Sequence, residues 1–341
     1  MTNLRVAVAG AGAFGSNHLR VYRELPGVTL AAAIEPDHAR AESIAAQYNI
    51  PTFPTVEAAL NADLNLHAAS IAVPTIHHHA TAAQFLESGI DCLIEKPIAS
   101  TLAEADSLIA LSQKHNRILQ VGHLERFNPA VLAIEPKLTR PMFFEAHRLS
   151  IFTPRSLDVD VVLDLMIHDL DIVLTFAKSE VKEVRAVGLP ILSPKVDIAN
   201  VRVEFTSGCI ANFTASRVST ERVRKLRFFE PRQYVSIDYA RRDALIIAVD
   251  ENFSLDQAMS IGQASNFQDG LPGLNFTKPP IEPGEPLKLE IASFLESVRT
   301  RSTPRVTGQQ ARNALALALE IQQQMSHHAE KAGLSTFFHP A

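Results

Sequence analysis

Five ionisable side chains interrupt the otherwise apolar segment 160–176, and four of them have types and spacing that suit acid–base chemistry. Asp160, Asp164, His168 and Asp171 fall at positions i, i+4, i+8 and i+11. Because a helix turns by about 100° per residue, a helix here places the four side chains in one narrow stripe. Ionisable groups on a buried helix must face a wet cleft or one another, since hydrocarbon would desolvate them at a large cost.

This stripe favours a general base. His168 can accept a hydroxyl proton, and Asp164, one turn away, can orient the imidazole and tune its basicity. A buried histidine–aspartate cluster that only fixes the position of the helix is the alternative. A metal site formed by His168 and two carboxylates is the third interpretation, and it is disfavoured because Lys96 would bring a competing cation to the same place.

Lys96 is a second candidate for chemistry, in the tripeptide Glu95-Lys96-Pro97 that closes the apolar run 90–94. A lysine at the end of a parallel strand, held by a proline that stiffens the following bond, lies where a substrate and a nicotinamide would meet. There its ammonium can hydrogen-bond a substrate oxygen and stabilise the alkoxide that develops. The alternative is a surface lysine that pairs with Glu95.

A glycine turn between an apolar run and a helical pattern predicts a dinucleotide site. In G-x-G-x-x-G, Gly10 permits the tight turn, Gly12 lets the backbone approach a pyrophosphate, and Gly15 lets helix and strand pack closely. Glu35 ends the next apolar run, where a carboxylate accepts from both ribose hydroxyls of NAD and repels a 2′-phosphate. The alternative is an ordinary glycine turn and a surface acid. The expected NAD contacts here are Gly10, Gly12, Ala13, Phe14, Gly15 and Glu35.

The elements that carry these residues alternate between strand and helix, which predicts an N-terminal Rossmann fold with a doubly wound parallel sheet. Such a sheet binds its ligand at the carboxyl ends of its strands, so the loops 74–79, 95–97 and 122–129 should line the cofactor cleft. Pro74, His78, Glu95 and Lys96 therefore join the expected cofactor contacts. The neighbouring histidines His77–His79 predict no metal site, since adjacent side chains diverge and no cysteine or carboxylate has ligand spacing.

From Val181 the pattern changes to short strands separated by turns. The segments from Lys182–Leu192 to Asp243–Val249 predict a meander that forms an open antiparallel sheet with helices on one face. Leu287–Thr300 and Thr307–His328 are predicted as closing helices. We therefore expect an NAD-binding domain over residues 1–122 and a substrate and oligomerisation domain over residues 123–341.

Composition excludes several classes of partner. A chain of 341 residues with a net charge of −5 has no strongly basic surface, so nucleic acid is not expected as a partner. No apolar run is long enough to span a bilayer, and we expect no membrane association. Cys92 and Cys209 lie in apolar runs and suggest buried free thiols in a reducing compartment. With a first strand that starts within five residues of Met1 and leaves no signal peptide, a cytoplasmic location is expected.

Four motifs together resemble the Gfo/Idh/MocA oxidoreductases, which include glucose–fructose oxidoreductase and inositol dehydrogenases. They are Gly10-x-Gly12-x-x-Gly15, Pro74-x-x-x-His78, Glu95-Lys96-Pro97 and Asp164-x-x-x-His168-x-x-Asp171. The resemblance covers nearly the whole chain. It implies a two-domain fold, NAD(P)-dependent chemistry at a sugar carbon, a catalytic role for Lys96, the same assignment of Asp164 and His168, and a homodimer or homotetramer formed through the open sheet.

A narrower resemblance concerns the substrate. The stretches 121–129 and 164–171 look like a subgroup that oxidises the 3-hydroxyl of UDP-N-acetylglucosamine, after which a partner aminotransferase leads to a diamino sugar for lipid A. A related subgroup acts on the corresponding uronic acid. The substrate contacts expected on this basis are Lys96, Arg126, Asn128, Arg155, Asp164, His168 and Arg217.

The residues by themselves support only polyol or sugar oxidation, and several alternatives stay open. The basic cluster from Arg217 to Arg227 is either a solvated sheet edge or a site for a diphosphate-bearing substrate. A dehydrogenase of a free polyol or hexose would use the same chemistry without the nucleotide. A non-catalytic NAD-binding regulator would need the glycine turn but not Lys96, Asp164 and His168 together. Reduction of a cyclic imine or an aldehyde would not need the aspartate–histidine stripe.

Overall fold

The structure, a computed structural model, describes residues 3–153, 159–251, 253 and 273–334. The chain forms two compact units, Met1–Phe127 with Gly284–Ala316 and Asn128–Pro283 with Leu317–Ala341. The predicted division at residue 122 differs from these units, because residues 284–316 return to the first one.

The strands run through both units. In chain order they are β1 (Leu4–Ala9), β2 (Val28–Ile34), β3 (Thr52–Phe53), β4 (Ala68–Ile71), β5 (Asp91–Glu95), β6 (Leu119–Gly122), β7 (Phe143–Leu149), β8 (Val181–Leu189), β9 (Ile198–Phe205), β10 (Ile210–Ser216), β11 (Val223–Glu230), β12 (Gln233–Asp238), β13 (Asp243–Val249) and β14 (Leu274–Thr277).

The helices are distributed over both units as well. In chain order they are α1 (Gly15–Glu24), α2 (His38–Tyr48), α3 (Val56–Leu60), α4 (His78–Glu87), α5 (Leu102–Lys114), α6 (Pro129–Ile134), α7 (Ile167–Ala177), α8 (Pro286–Thr300) and α9 (Gly308–Lys331). Within the part of the chain that the structure describes, none of these helices combines the length and the apolar character that crossing a membrane requires.

The first unit contains the predicted parallel sheet. Its strand order is β3-β2-β1-β4-β5-β6, the order of a dinucleotide-binding fold, and every pairing is parallel. The chain reverses its direction of travel across the sheet between β1 and β4, so ligands are expected at the carboxyl ends of these strands. The Rossmann part of the predicted fold class is therefore confirmed.

Helix α8 belongs to the first unit because of its apolar face. Its buried side chains share one hydrophobic cluster with Leu19 and Tyr22 of α1. A helix with one apolar stripe must bury that stripe, and α1 supplies the partner surface. The buried apolar residues of α8 in this cluster are Leu287, Ile291, Phe294, Leu295 and Val298.

The second unit contains a mostly antiparallel sheet, as expected, with one change in strand order. The order is β14-β13-β12-β11-β7-β10-β9-β8. The meander prediction is wrong at one place, because β7 lies between β10 and β11 and pairs with β10 in parallel. Its alternating burial places Phe144, Ala146 and Arg148 on the covered face and leaves the intervening side chains on the open face.

The apolar segment 160–176 is not one continuous α-helix. A π-helical turn over Val162–Met166 precedes α7, which begins at Ile167. Because a π-turn bonds residue i to residue i+5, the rotation of 100° per residue does not apply across it. The predicted single stripe therefore holds only within α7.

Candidate active site

The glycine turn has the geometry of a dinucleotide cradle. Gly10 has a φ of +85°, and a Cβ there would lie 2.7 Å from the carbonyl carbon of Ala72. A Cβ on Gly15 would lie 1.9 Å from the carbonyl oxygen of Gly10, whereas a Cβ on Gly12 would meet nothing within 4 Å. Gly10 and Gly15 are thus required by packing, and Gly12 faces open space, as the three predicted roles require.

A cleft of about 660 Å³ opens beside this turn in the first unit. It adjoins the N-terminus of α1, which no side chain caps and where the helix dipole favours an anion. The open space at Gly12 and a carboxylate at the far end complete a site whose residues fit a dinucleotide. Its lining includes Gly10, Gly12, Ala13, Phe14, Glu35, Arg40, Pro74 and His77.

Glu35 is buried and held in place by its surroundings. Its Oε2 accepts from the backbone N–H of Ala11 at 2.9 Å, and its Oε1 accepts from Asp37 N at 3.0 Å. Arg40 also donates to Oε1, at 3.1 Å, and lines the same cleft. Sequence reasoning missed Arg40, although an arginine five residues after the acid is the one signal that could have found it, since an arginine near this acid can accommodate a 2′-phosphate.

His78 joins the loops that follow β4 and β5. Its Nδ1 lies 2.8 Å from the carbonyl oxygen of Pro97, and its Nε2 lies 2.9 Å from that of Val73. Burial lowers the pKa of His78, although both carbonyl contacts and the charge of Glu95 act in the opposite direction. A neutral imidazole has one N–H, so one of these contacts is a hydrogen bond and the other is not. The contact of His78 with the Pro97 carbonyl supports the backbone at the residue that directly follows Lys96.

Glu95 ends β5 and is the terminus of a buried hydrogen-bond chain. Tyr22 Oη lies 2.7 Å from Ser70 Oγ, which lies 3.1 Å from His18 Nδ1. His18 Nε2 in turn lies 2.9 Å from Glu95 Oε1. Gly122 leaves room for this carboxylate, since a Cβ there would lie 2.7 Å from Oε1. His18 was missed from the sequence; its only signal is a polar residue on the buried side of an amphipathic helix.

Lys96 follows this carboxylate directly and is half-buried in the first unit. Its position at the end of β5, beside the topological switch point, is the one at which a parallel sheet presents catalytic groups.

In the second unit the residues of the predicted polar stripe differ in position, burial and structural role. Asp160 Oδ1 accepts from the backbone N–H groups of Val162 and Leu163 at 2.8 and 3.1 Å, so it caps the start of the helical segment. Asp164 lies within the π-helical turn and His168 in the first turn of α7, and both are half-buried. Asp171 is buried.

A buried ion pair anchors the first turn of α7 beside His168. Arg148 on β7 donates to both carboxylate oxygens of Asp169 at 2.7 and 3.0 Å. Its guanidinium also lies 5.2 Å from the ring centre of Tyr239. Asp169 lies off the predicted stripe, which is why the sequence did not single it out. The pair holds the backbone of α7 against the sheet at the residue next to His168.

Two of the predicted substrate residues that the structure describes are engaged within their own unit. Asn128 Oδ1 accepts from Ala130 N at 3.1 Å and caps α6, while its Nδ2 donates to the carbonyl of Tyr239 at 3.1 Å. In the first unit, buried Arg126 donates to the carbonyl of Arg305 at 3.4 Å.

The residues of the basic cluster do not form one site. Arg217 is buried, with its Nε 3.7 Å from Asp197 Oδ1. Lys225 and Arg227 lie on the open face of the sheet, where they border a depression of about 410 Å³ with His147 and Tyr234. Arg155, the other candidate for diphosphate binding, lies outside the described residues.

The part of the chain that the structure describes offers no candidate metal centre. Residues 3–153, 159–251, 253 and 273–334 contain no group of three or more histidine, cysteine, aspartate or glutamate side chains suited to hold an ion. Cys92 and Cys209 are buried free thiols.

Comparisons with known proteins agree with this architecture. Residues 4–123 match the profile of an oxidoreductase family with an NAD-binding Rossmann fold, and residues 133–232 match the GFO/IDH/MocA C-terminal domain. The UDP-N-acetylglucosamine 3-dehydrogenase of Acidithiobacillus ferrooxidans is 33% identical over 94% of this chain and 97% of its own. A solved structure of that enzyme superposes with a TM-score of 0.85, covering 95% of this chain and 98% of the other.

More distant relatives extend the picture. An inositol 2-dehydrogenase of Corynebacterium glutamicum is 32% identical, but over 53% of this chain and 56% of its own. Levoglucosan dehydrogenase in complex with NADH and L-sorbose shares the fold, with a TM-score of 0.81, 16% identity, and coverage of 96% of this chain and 98% of the other. This chain therefore belongs to the Gfo/Idh/MocA family and is an NAD-binding oxidoreductase.

Proposed function

We propose that this protein is a sugar dehydrogenase that oxidises the 3-hydroxyl of UDP-N-acetylglucosamine to the 3-keto sugar. The observation that carries the proposal is the likeness to the A. ferrooxidans enzyme along nearly the full length of both chains. The inositol 2-dehydrogenase relative aligns over about half of the chain, which gives weaker support to a free polyol as substrate.

In this proposal the first unit holds the cofactor. NAD, when bound, accepts the hydride from the sugar carbon. Gly12 leaves room for the pyrophosphate, the N-terminus of α1 stabilises its charge, and Glu35 accepts from the adenosine ribose. The residues proposed to contact NAD are Gly10, Gly12, Ala13, Phe14, Gly15, Glu35, Pro74, His78, Glu95 and Lys96.

Three side chains are proposed to handle the proton. His168 accepts it from the substrate hydroxyl, and Asp164 orients the imidazole. Lys96 donates a hydrogen bond to the same oxygen and stabilises the alkoxide as it develops. Arg126, Asn128, Arg155 and Arg217 are proposed as substrate contacts. Because Asn128 and Arg217 also hold their own unit together, their substitution should lower stability as well as affinity for the substrate.

NADH formation with a substrate panel tests the proposal. The panel contains UDP-N-acetylglucosamine, its uronic acid, free inositols and simple hexoses, with the aminotransferase step and its amino donor present to remove a 3-keto product. Turnover with UDP-N-acetylglucosamine, and with no other substrate of the panel, supports the proposal. Turnover with free polyols keeps the dehydrogenase and excludes the nucleotide, whereas NAD binding without any turnover favours the regulator.

Lys96→Met tests the catalytic assignment. We expect it to abolish turnover, because the side chain acts on the substrate oxygen, and to leave NAD affinity nearly unchanged, because Lys96 is one of ten proposed NAD contacts. Lys114→Met, an exposed lysine on α5, is the matched control and should behave as the parent. Unchanged turnover in Lys96→Met would remove Lys96 from the mechanism.

We also propose a cytoplasmic homodimer or homotetramer that supplies an aminotransferase with its keto sugar, within lipid A biosynthesis. The open face of the second sheet supports self-association, since it presents stacked Phe143 and Phe229 beside a Glu145–Arg227 ion pair. A second copy can match both features. Light scattering on the purified chain and on Phe229→Lys tests this: a monomeric parent would exclude the proposal.

A further inference from the structure

Glu290 is a buried carboxyl group to which the proposed reaction assigns no task. It lies on α8 in the first unit and has 0% exposure. Neither of its side-chain oxygens has a hydrogen-bond partner among the residues that the structure describes. An ionised carboxylate without partners is so costly in a dry interior that such a group takes up a proton instead.

Helix α8 packs on β5, the strand that ends at Glu95, and the negative charge of Glu95 acts on Glu290. Burial raises the pKa of Glu290 well above its usual range, and the negative charge of Glu95 raises it further. Two neighbouring carboxyl groups in a dry interior do not both ionise, so one of them keeps a proton. The Glu95 side chain is 12% exposed and interacts with His18, and both features stabilise a negative charge. Glu290 has neither solvent exposure nor a hydrogen-bond partner for its side-chain oxygens among the described residues.

The hydrogen-bond chain that ends at Glu95 suits a carboxylate at that position. With the imidazole proton assigned to Nε2, His18 donates to Glu95, its Nδ1 accepts from the Ser70 hydroxyl, and Ser70 Oγ accepts from the Tyr22 hydroxyl. Every donor of the chain is then used, and the last acceptor is a carboxylate. Glu290 lies outside this chain and its oxygens accept no hydrogen bond from the described residues, so we assign the proton of the carboxyl pair to Glu290.

The other polar groups near Glu290 that the structure describes give its carboxyl oxygens no hydrogen bond. Tyr22, on α1, is neutral, because burial raises the pKa of its hydroxyl. On β6, Gln120 Nε2 donates to the backbone carbonyl of Glu290 at 3.2 Å, and Gln120 Oε1 also lacks a partner within the described ranges. The short 3₁₀ helix 124–127 also packs on α8 and carries Glu125 and Arg126, of which Arg126 donates to a backbone carbonyl.

We propose that Glu290 is an un-ionised carboxylic acid that shares a single negative charge with Glu95 and thereby acts as a positioning residue for Lys96. A second negative charge at the end of β5 would attract the Lys96 ammonium and oppose the alkoxide that Lys96 has to stabilise. A protonated Glu290 carries no charge, so the net charge of the two carboxyl groups stays at −1. The effect on Lys96 rests on the proposed function, whereas the protonation of Glu290 does not.

Infrared spectroscopy of the protein without substrate tests the protonation directly. An un-ionised carboxylic acid has a carbonyl stretch above the amide I band that moves to lower frequency in D₂O. We expect this band at neutral pH in the parent and in Glu296→Gln, an exposed glutamate on the same helix, and its loss in Glu290→Gln. Absence of the band from the parent, or its persistence in Glu290→Gln, overturns the proposal.

A pH titration of the parent keeps the test independent of any variant. The band should persist through neutral pH and disappear only on alkaline titration, whereas a band that disappears near the usual pKa of glutamate overturns the proposal. This arm needs neither substrate nor turnover, so it separates the protonation of Glu290 from the assignment of the reaction.

The positioning role has a kinetic readout. Glutamine cannot ionise, so in Glu290→Gln the pair keeps a charge of −1 at alkaline pH, where Glu290 of the parent loses its proton. We therefore expect the alkaline limb of the kcat pH profile to shift. KM and NAD affinity should stay within about twofold of the parent values, a difference of roughly 0.4 kcal/mol. A uniform fall in kcat with an unchanged pH profile indicates a packing role and overturns the positioning role, even if the infrared band is found.

Discussion

Gly12 and Gly15 belong to one motif, but their surroundings predict opposite consequences for alanine. A Cβ on Gly15 would lie 1.9 Å from the carbonyl oxygen of Gly10, and a backbone oxygen cannot move aside as a flexible side chain can. Overpacking of this kind costs about 3 kcal/mol, a large share of the roughly 5–15 kcal/mol that holds a domain folded. We therefore expect Gly15→Ala to lower the free energy of unfolding by about that amount.

Gly12→Ala should leave the folded protein intact and impair NAD binding. Its Cβ meets nothing within 4 Å and its φ lies outside the left-handed region, so alanine can adopt the same backbone. The free energy of unfolding should stay the same or rise by about 0.4–1 kcal/mol, because alanine restricts the unfolded chain. The added methyl group occupies space that a pyrophosphate approaches, and we expect the Kd of NAD to rise at least tenfold, or about 1.4 kcal/mol.

Two measurements on the same preparations decide the matter. Urea unfolding without cofactor gives the stability of the parent and both variants, and calorimetric titration gives the Kd of NAD. Parent-like NAD binding by Gly12→Ala would refute the placement of the pyrophosphate. Equal destabilisation by the two substitutions would refute the distinction between packed and open glycines.

Three further predictions concern selectivity, packing and pH. Glu35→Ser should lower the Kd of NADP about tenfold, since it removes a repulsive charge and releases Arg40; equal affinity of the parent for NAD and NADP in calorimetric titration would contradict the assignment of Glu35. Asp169→Ala should cost about 3–5 kcal/mol in urea unfolding because it leaves the Arg148 cation buried, and the loss should be much smaller when Arg148→Met accompanies it. Because burial lowers the pKa of His78 below its ordinary 6.5, the unfolded chain binds the proton more readily, so stability should fall as pH drops below 6.5. Parallel acid slopes of the urea midpoint for the parent and His78→Gln would contradict this.

The sequence pattern predicted correctly those structural features whose stabilising contacts join residues close together in the chain. The glycine motif, the apolar run before it and Glu35 lie within one strand–turn–helix–strand unit, and their predicted arrangement is the one found. The capping box of α5 is another such case, because Thr101 and Glu104 bond each other's backbone across one turn. Short-range geometry and residue type are enough to specify these features.

Features that depend on distant partners could not be read from the sequence. The parallel pairing of β7 with β10 joins segments more than sixty residues apart, and nothing in either strand encodes it. His18 and Glu95 are 77 positions apart, so neither signals the other. The π-helical turn replaces one set of backbone hydrogen bonds with another inside an apolar segment whose composition suits both. In each case tertiary packing decides among options that the local pattern leaves open.

The return of residues 284–316 to the first unit has a consequence for the order of events during synthesis. When residue 127 has been polymerised, the parallel sheet is complete but the face of α1 that α8 covers is still bare. At ribosomal rates of about 5–20 residues per second, roughly ten to thirty seconds pass before that helix exists. The second unit's strands therefore emerge while the first unit is still unfinished, and a nascent chain of this protein carries an uncovered apolar surface that holdase chaperones can bind. An isolated 1–127 fragment would retain that surface permanently.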